Sequence, residues 1–181
     1  RREAQIRAQR PDLDVVPLRG NVDTRLRKLR EGEMDALVIA AAGLRRLGRE
    51  KEVTEFLSPE VMLPASAQGV VCVTALKKNE SFLEILKAID DSQARTCAQA
   101  ERAFLKTLQG GCRVPVGALA IVEGDSITLS GVIADPKTRK IMKNSMKGGK
   151  EKPLELGQML ARQFLRDGAG DILESFGRST W

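Results

Sequence analysis

Leu13-Asp14-Val15-Val16-Pro17-Leu18 and Ala36-Leu37-Val38-Ile39-Ala40-Ala41-Ala42 read as two strands, the second apolar without a break, as in a sheet buried on both faces. Between them, Asn21 to Thr24 supply N-cap residues for a helix over residues 25–30 that stops at Gly32. Strand, short helix and buried strand make a βαβ unit, which predicts a parallel sheet with a right-handed crossover. The arginines then fall in informative places. Arg19 directly follows the first strand, Arg25 lies in the next helix's first turn, and Arg45-Arg46 follow the second strand. Ligands of open α/β sheets bind outside the carboxyl ends of the strands, where helix N-termini also favour anions. The expectation is a site for a carboxylate or phosphate.

Upstream, residues 1–10 read as a helix already under way, with Ala4, Ile6 and Ala8 and no start signal before them. An N-terminal part is therefore expected to precede Arg1. Downstream, Leu63-Pro64-Ala65-Ser66-Ala67-Gln68-Gly69 is loop-like and runs into a short apolar strand at residues 70–73. Ser81 can cap a helix whose inner face carries Phe82, Ile85, Leu86 and Ile89. Cys97, Ala100, Phe104 and Leu108 mark a longer helix that starts at Ser92 and ends at Gly110-Gly111, with Cys112 in the loop that follows. Residues 116–122 and 126–134 form a hairpin around Glu123-Gly124-Asp125, residues 141–146 a third strand, and residues 154–164 an amphipathic helix. The fold class expected is α/β followed by a small α+β domain with a three-stranded antiparallel sheet.

A chain of 181 residues with 42% hydrophobic content can bury a core. No apolar run approaches the roughly 20 residues of a membrane helix, so no membrane partner is expected and the setting is cytoplasmic or an organelle matrix such as a plastid. The net charge of +6 favours an anionic partner. Nucleic acid is one candidate, but aromatics are 3%, Tyr is absent and the single Trp is the last residue, so no base-stacking platform is visible. Cys72, Cys97 and Cys112 lack CxxC spacing and there is no His, so no metal site is expected and acid-base chemistry must come from other groups. Cys72 and Cys97 lie on apolar faces and read as core. Lys77-Lys78 and the lysines of residues 137–152 read as solvated surface, and Gly148-Gly149 as a turn.

Four strings carry more than patterns do: residues 18–26 (Leu-Arg-Gly-Asn-Val-Asp-Thr-Arg-Leu), residues 41–48 (Ala-Ala-Gly-Leu-Arg-Arg-Leu-Gly), Leu63-Pro64-Ala65 with Gln68-Gly69, and Gly110-Gly111-Cys112-Arg113-Val114-Pro115-Val116-Gly117. In this order and at these separations they resemble porphobilinogen deaminase (hydroxymethylbilane synthase) over nearly the whole chain. The resemblance implies three domains, two periplasmic-binding-protein-like α/β lobes and an α+β domain. Residues 1–62 would be the later part of the second lobe, 63–91 a segment returning to a first lobe that is mostly missing, and 92–181 the third domain.

It also implies a transferase of haem and chlorophyll biosynthesis that joins four porphobilinogen molecules head to tail, with loss of ammonia, into hydroxymethylbilane. The growing polypyrrole stays on a dipyrromethane cofactor, held by a cysteine thioether that looks like Cys112. Arg1, Arg2, Arg19, Arg25 and Arg46 match the family's cofactor- and substrate-binding arginines, and Gln68 matches a further cofactor contact. Each pyrrole carries acetate and propionate, and guanidinium pairs carboxylate bidentately. The family's catalytic aspartate belongs to the first lobe, so no catalytic residue is assigned here, and the missing N-terminal lobe is an implied partner of a monomeric full enzyme. Two departures stand out: Ala67 replaces the Gly usual before Gln-Gly, and Thr74 replaces an acidic residue. The βαβ half, taken alone, also fits a binding module for an anionic small molecule.

Overall fold

A computed structural model describes residues 1–108, 114–135 and 137–176. Three helices open the chain: α1 (Arg2–Gln9), α2 (Val22–Arg30) and α3 (Ala41–Arg46), followed by a short 3-10 turn (Glu50–Glu52). Next come α4 (Glu80–Lys87) and the sixteen-residue α5 (Ser92–Thr107). A sheet of β1 (Val116–Glu123), β2 (Ser126–Ala134) and β3 (Ile141–Gly149) follows, then α6 (Pro153–Phe164) and α7 (Gly170–Ser175).

The expected three-stranded antiparallel sheet forms with helices packed on it, an α+β arrangement. Asp91 caps α5 by accepting from the Ala94 amide at 2.9 Å. β1 and β2 pair antiparallel from Val116↔Ile133 to Glu123↔Ser126, so Gly124-Asp125 is the whole turn, with Gly124 at φ 60. β3 pairs with β2 in the order β1-β2-β3. Gly148 and Gly149 belong to β3 and pair with Ile127 and Ser126, so they are not a turn. The helices α5 and α6 cover one face of the sheet, and Phe104 and Phe164 meet edge to face there, with centroids 5.3 Å apart at 74°. Gly131 is the seat for this pair: a Cβ there would lie 2.6 Å from the Phe104 ring.

In the first ninety residues the expected helices form but the expected strands do not. Among the described residues no strand precedes Val116, so residues 13–18, 36–42 and 70–73 do not form the predicted βαβ sheet. Residues 13–18 and 36–40 have no ladder partner, and Ala41 and Ala42 open α3 instead. A strand exists only with a neighbour to receive its amides and carbonyls, and an apolar run specifies the first without supplying the second. Val16, Val70, Val71 and Val73 are accordingly exposed. α4 forms where expected, but Asn79 caps it rather than Ser81, and its supposed inner face has no buried residue: Ile85 is 64% exposed. Cys97 packs against the core as expected, whereas Cys72 is exposed.

Candidate functional site

β1 is an edge strand, and its outward amides and carbonyls need partners. Polar groups from elsewhere in the chain occupy them in sequence. Arg1 Nε donates to the Val116 carbonyl, the Ala118 amide donates to the Pro64 carbonyl at 3.1 Å, and the Ala120 amide donates to Glu101 Oε1 at 2.8 Å. Gln93 Nε2 then donates to the Val122 carbonyl at 3.2 Å. Residues 63–69 are thereby laid along the edge, and Gly117 is required there because a Cβ would lie 2.7 Å from the Pro64 carbonyl oxygen.

The same segment is held from its other side by α1. Gln5 is fully buried, and its amide both donates to the Leu63 carbonyl and accepts from the Leu63 amide, each at 2.9 Å, as a neighbouring strand would. Glu101, also buried, accepts from the Ala67 amide at 2.5 Å with its second oxygen. Burial pushes the Glu101 carboxyl up, and its two backbone donors oppose that shift. Ala67 sits at φ 57, in the left-handed region that favours glycine, and Gly69 follows at φ 93. The departure from the family's usual Gly thus falls on a residue whose backbone still takes the glycine conformation.

The arginines converge on this held turn. Arg2 donates to Gln68 Oε1 at 3.4 Å, and Arg46 donates to the Gly69 carbonyl. Ala42 at the start of α3 lies against Gly69, and Val22 at the start of α2 lies against Gly43. Arg25, one turn into α2, has its Nε buried with no hydrogen-bond partner among the described residues. Burial first, then the charges of Arg25 and Arg1, lower the Arg2 guanidinium's affinity for its proton. Arg2 and Arg46 therefore meet on the Gln68-Gly69 turn, with the charges of Arg25 and Arg1 acting on Arg2.

Not every predicted residue joins the cluster. Arg19 is exposed in the loop before α2. Arg45 turns away, paired with Glu50 at 2.9 Å and lying 5.2 Å over the Phe56 ring. Cys112 lies outside the described residues; Val116, whose carbonyl receives Arg1, is four positions further along the chain. Two open depressions, one lined by Ser92, Thr96 and Lys150 and the other by Asp135, Asp167 and Asp171, include none of these residues. Among the described residues no group of three His, Cys, Asp or Glu side chains could hold a metal ion, and no helix is long and apolar enough to cross a membrane.

Sequence reasoning missed Gln5 and Glu101. For Glu101 a signal existed, since Cys97, Glu101, Phe104 and Leu108 share one helical stripe and put a carboxylate in a core-facing slot. Gln5 carries no comparable signal, because its partner is backbone 58 residues away.

Two family models match the chain. The dipyrromethane cofactor binding domain of porphobilinogen deaminase covers residues 1–84, and the C-terminal domain of porphobilinogen deaminase covers residues 95–166. A porphobilinogen deaminase of Roseiflexus castenholzii is 50% identical over 173 residues, 96% of this chain and 57% of the relative. One from Brevibacillus brevis is 47% identical over 174 residues, 96% of this chain and 56% of the relative. One from Carboxydothermus hydrogenoformans is 43% identical over 179 residues, 98% and 57% respectively. The chain spans a little over half the length of these relatives.

Proposed function

Because the chain belongs to the porphobilinogen deaminase family, we propose that it is the portion of a hydroxymethylbilane synthase that anchors the dipyrromethane cofactor and grips the growing polypyrrole by its carboxylates. The reaction is the head-to-tail condensation of four porphobilinogen molecules into hydroxymethylbilane with loss of ammonia, in haem and chlorophyll biosynthesis. One observation carries the reading: Arg2 and Arg46 both donate to the Gln68-Gly69 turn and the charges of Arg25 and Arg1 act on Arg2, with Arg25 Nε buried and without a hydrogen-bond partner among the described residues. A cationic cluster whose neighbours are other cations is stabilised by an anion, and acetate and propionate groups supply paired oxygens that guanidinium binds in fork geometry.

The residues fit the cofactor. Cys112 Sγ forms the thioether, a link that does not exchange as a disulfide does. Arg1, Arg2, Arg25 and Arg46 would hold carboxylates, Gln68 would hydrogen-bond the cofactor, and Arg19, exposed before α2, would bind substrate carboxylates. When bound, the dipyrromethane supplies the terminal pyrrole carbon onto which the first substrate is joined. Proton transfer at the reacting pyrrole belongs to an aspartate in the part of the relatives this chain does not span.

The domain assignment goes with this reading: residues 1–62 complete a periplasmic-binding-protein-like α/β lobe, 63–91 return to a first lobe, and 92–181 form the cofactor-carrying domain. Residues 13–18, 36–40 and 70–73 become strands where the longer protein supplies their neighbours. The working enzyme is a cytoplasmic monomer, or a plastid one.

The test is the intact mass of the denatured full-length protein, with peptide mapping around Cys112. An excess equal to two linked pyrroles on the Cys112 peptide is expected. A bare mass from full-length protein that still forms hydroxymethylbilane would overturn the assignment.

A further inference from the structure

Among the described residues Glu101 is the buried acid whose two carboxylate oxygens bind two different segments of the chain. Oε2 accepts from the Ala67 amide at 2.5 Å and Oε1 from the Ala120 amide at 2.8 Å. The side chain is 5% exposed, on the stripe of α5 that faces the core. A carboxylate in this position accepts from both amides at once; an amide side chain has one acceptor oxygen and turns its NH₂ toward the other N–H. The clamp acts on a strained link. Ala67 is held at φ 57, in the left-handed region that disfavours a residue with a Cβ. Released from Glu101, Ala67 relaxes toward negative φ and carries Gln68 and Gly69 with it. Those two residues receive Arg2 and Arg46.

We propose that Glu101 is a positioning residue for the polypyrrole site: by bridging the Ala67 and Ala120 amides it fixes the Gln68 turn, and through that turn Arg2 and Arg46, against β1 of the cofactor-carrying domain. The inference rests on the function proposed above and adds to it a residue that touches neither cofactor nor substrate. Its carboxylate ties residues on opposite sides of the boundary between the segment 63–91 and the third domain. A purely structural role for the same bonds would lower stability and leave the binding parameters of the folded enzyme alone.

The experiment uses the full-length holoenzyme and a double-mutant cycle between Glu101→Gln and Gln68→Ala, read as KM and kcat for porphobilinogen on folded protein of known cofactor content. Glu101→Gln is expected to raise KM about tenfold, the effect of roughly one lost charge-assisted hydrogen bond. Adding Gln68→Ala to it is expected to raise KM by less than about twofold more, because Gln68 is already displaced. Ala67→Gly placed in the Glu101→Gln protein is expected to restore a large part of KM, since glycine holds positive φ without the clamp. Where Glu101→Gln does not accumulate, Glu101→Asp serves, being one methylene too short to reach both amides.

Effects on KM that multiply as independent changes, or an Ala67→Gly rescue confined to the melting temperature, would overturn the positioning role. Wild-type protein that carries no pyrrole on Cys112 and forms no hydroxymethylbilane would overturn the functional reading first and this inference with it. The mass measurement thus separates the two failures.

Discussion

Residues 92–176 bury their own apolar stripes, whereas residues 1–90 are held mostly by polar side chains reaching to backbone. In the first region Phe104, Leu129, Ile133, Leu160 and Phe164 are buried against one another. In the second, Val71, Leu76, Ile85 and Ile89 are each more than 60% exposed, and the firm attachments are Gln5 to Leu63, Arg1 to Val116 and Glu101 to Ala67. The difference teaches where a fold's information sits. A region that contains both halves of each packing contact specifies itself, while a region whose strands need outside neighbours does not.

The largest expected effect is at the centre of the self-sufficient region. Phe104 is fully buried between Gly131 and Phe164, so Phe104→Ala should cost about 3–5 kcal/mol, read from denaturant melts. A cost under about 1 kcal/mol would mean that the two helices do not pack on the sheet as described.

The next largest falls on the polar seam between the regions. Gln5→Ala removes both hydrogen bonds to Leu63 and leaves a buried amide and carbonyl unpaired. The expected loss is about 2–3 kcal/mol, with exchange protection of the Leu63 amide lost first. Unchanged protection there would break the claim that polar links hold the N-terminal half.

What was legible in the sequence follows the same division. Ser92, the Cys97-Ala100-Phe104-Leu108 stripe, Gly124 and the apolar face of α6 all announce elements whose partners lie within eighty residues, and each element forms. The runs at 13–18, 36–42 and 70–73 announce strands equally clearly, yet pairing is a property of two segments and neither run names its partner. The site was legible in part. Strand-end reasoning put Arg25 and Arg46 near an anion; the structure brings Arg46 to the Gly69 carbonyl and lets the Arg25 charge act on Arg2, although the strands meant to position them do not form. Arg1, Arg2, Gln68 and Cys112 became visible only through the family's strings, because nothing local marks a residue that binds a ligand shared among distant segments.

Ala67→Gly tests the seam with a smaller effect. Glycine at φ 57 relieves the left-handed strain but gives up chain entropy in the unfolded state, so the net gain should be about 0.5–1 kcal/mol, read as a raised midpoint in denaturant. A loss of stability would show that the Ala67 methyl is packed, which would shift the account of this turn from backbone conformation to side-chain contact.

The smallest effect separates the two regions most sharply. Ile85 is 64% exposed on α4, so Ile85→Ala in this chain removes little buried area and should change stability by no more than about 0.5 kcal/mol. The same substitution in the full-length protein measures what covers α4 there. If residues 63–91 return to a lobe that this chain does not contain, the loss should rise to about 2–4 kcal/mol, the cost of emptying a buried isoleucine site. An equally small loss in both would mean that α4 stays on the surface of the complete enzyme. Its apolar face would then need another occupant, because Ile85 and Ile89 are large apolar side chains exposed to water at a cost.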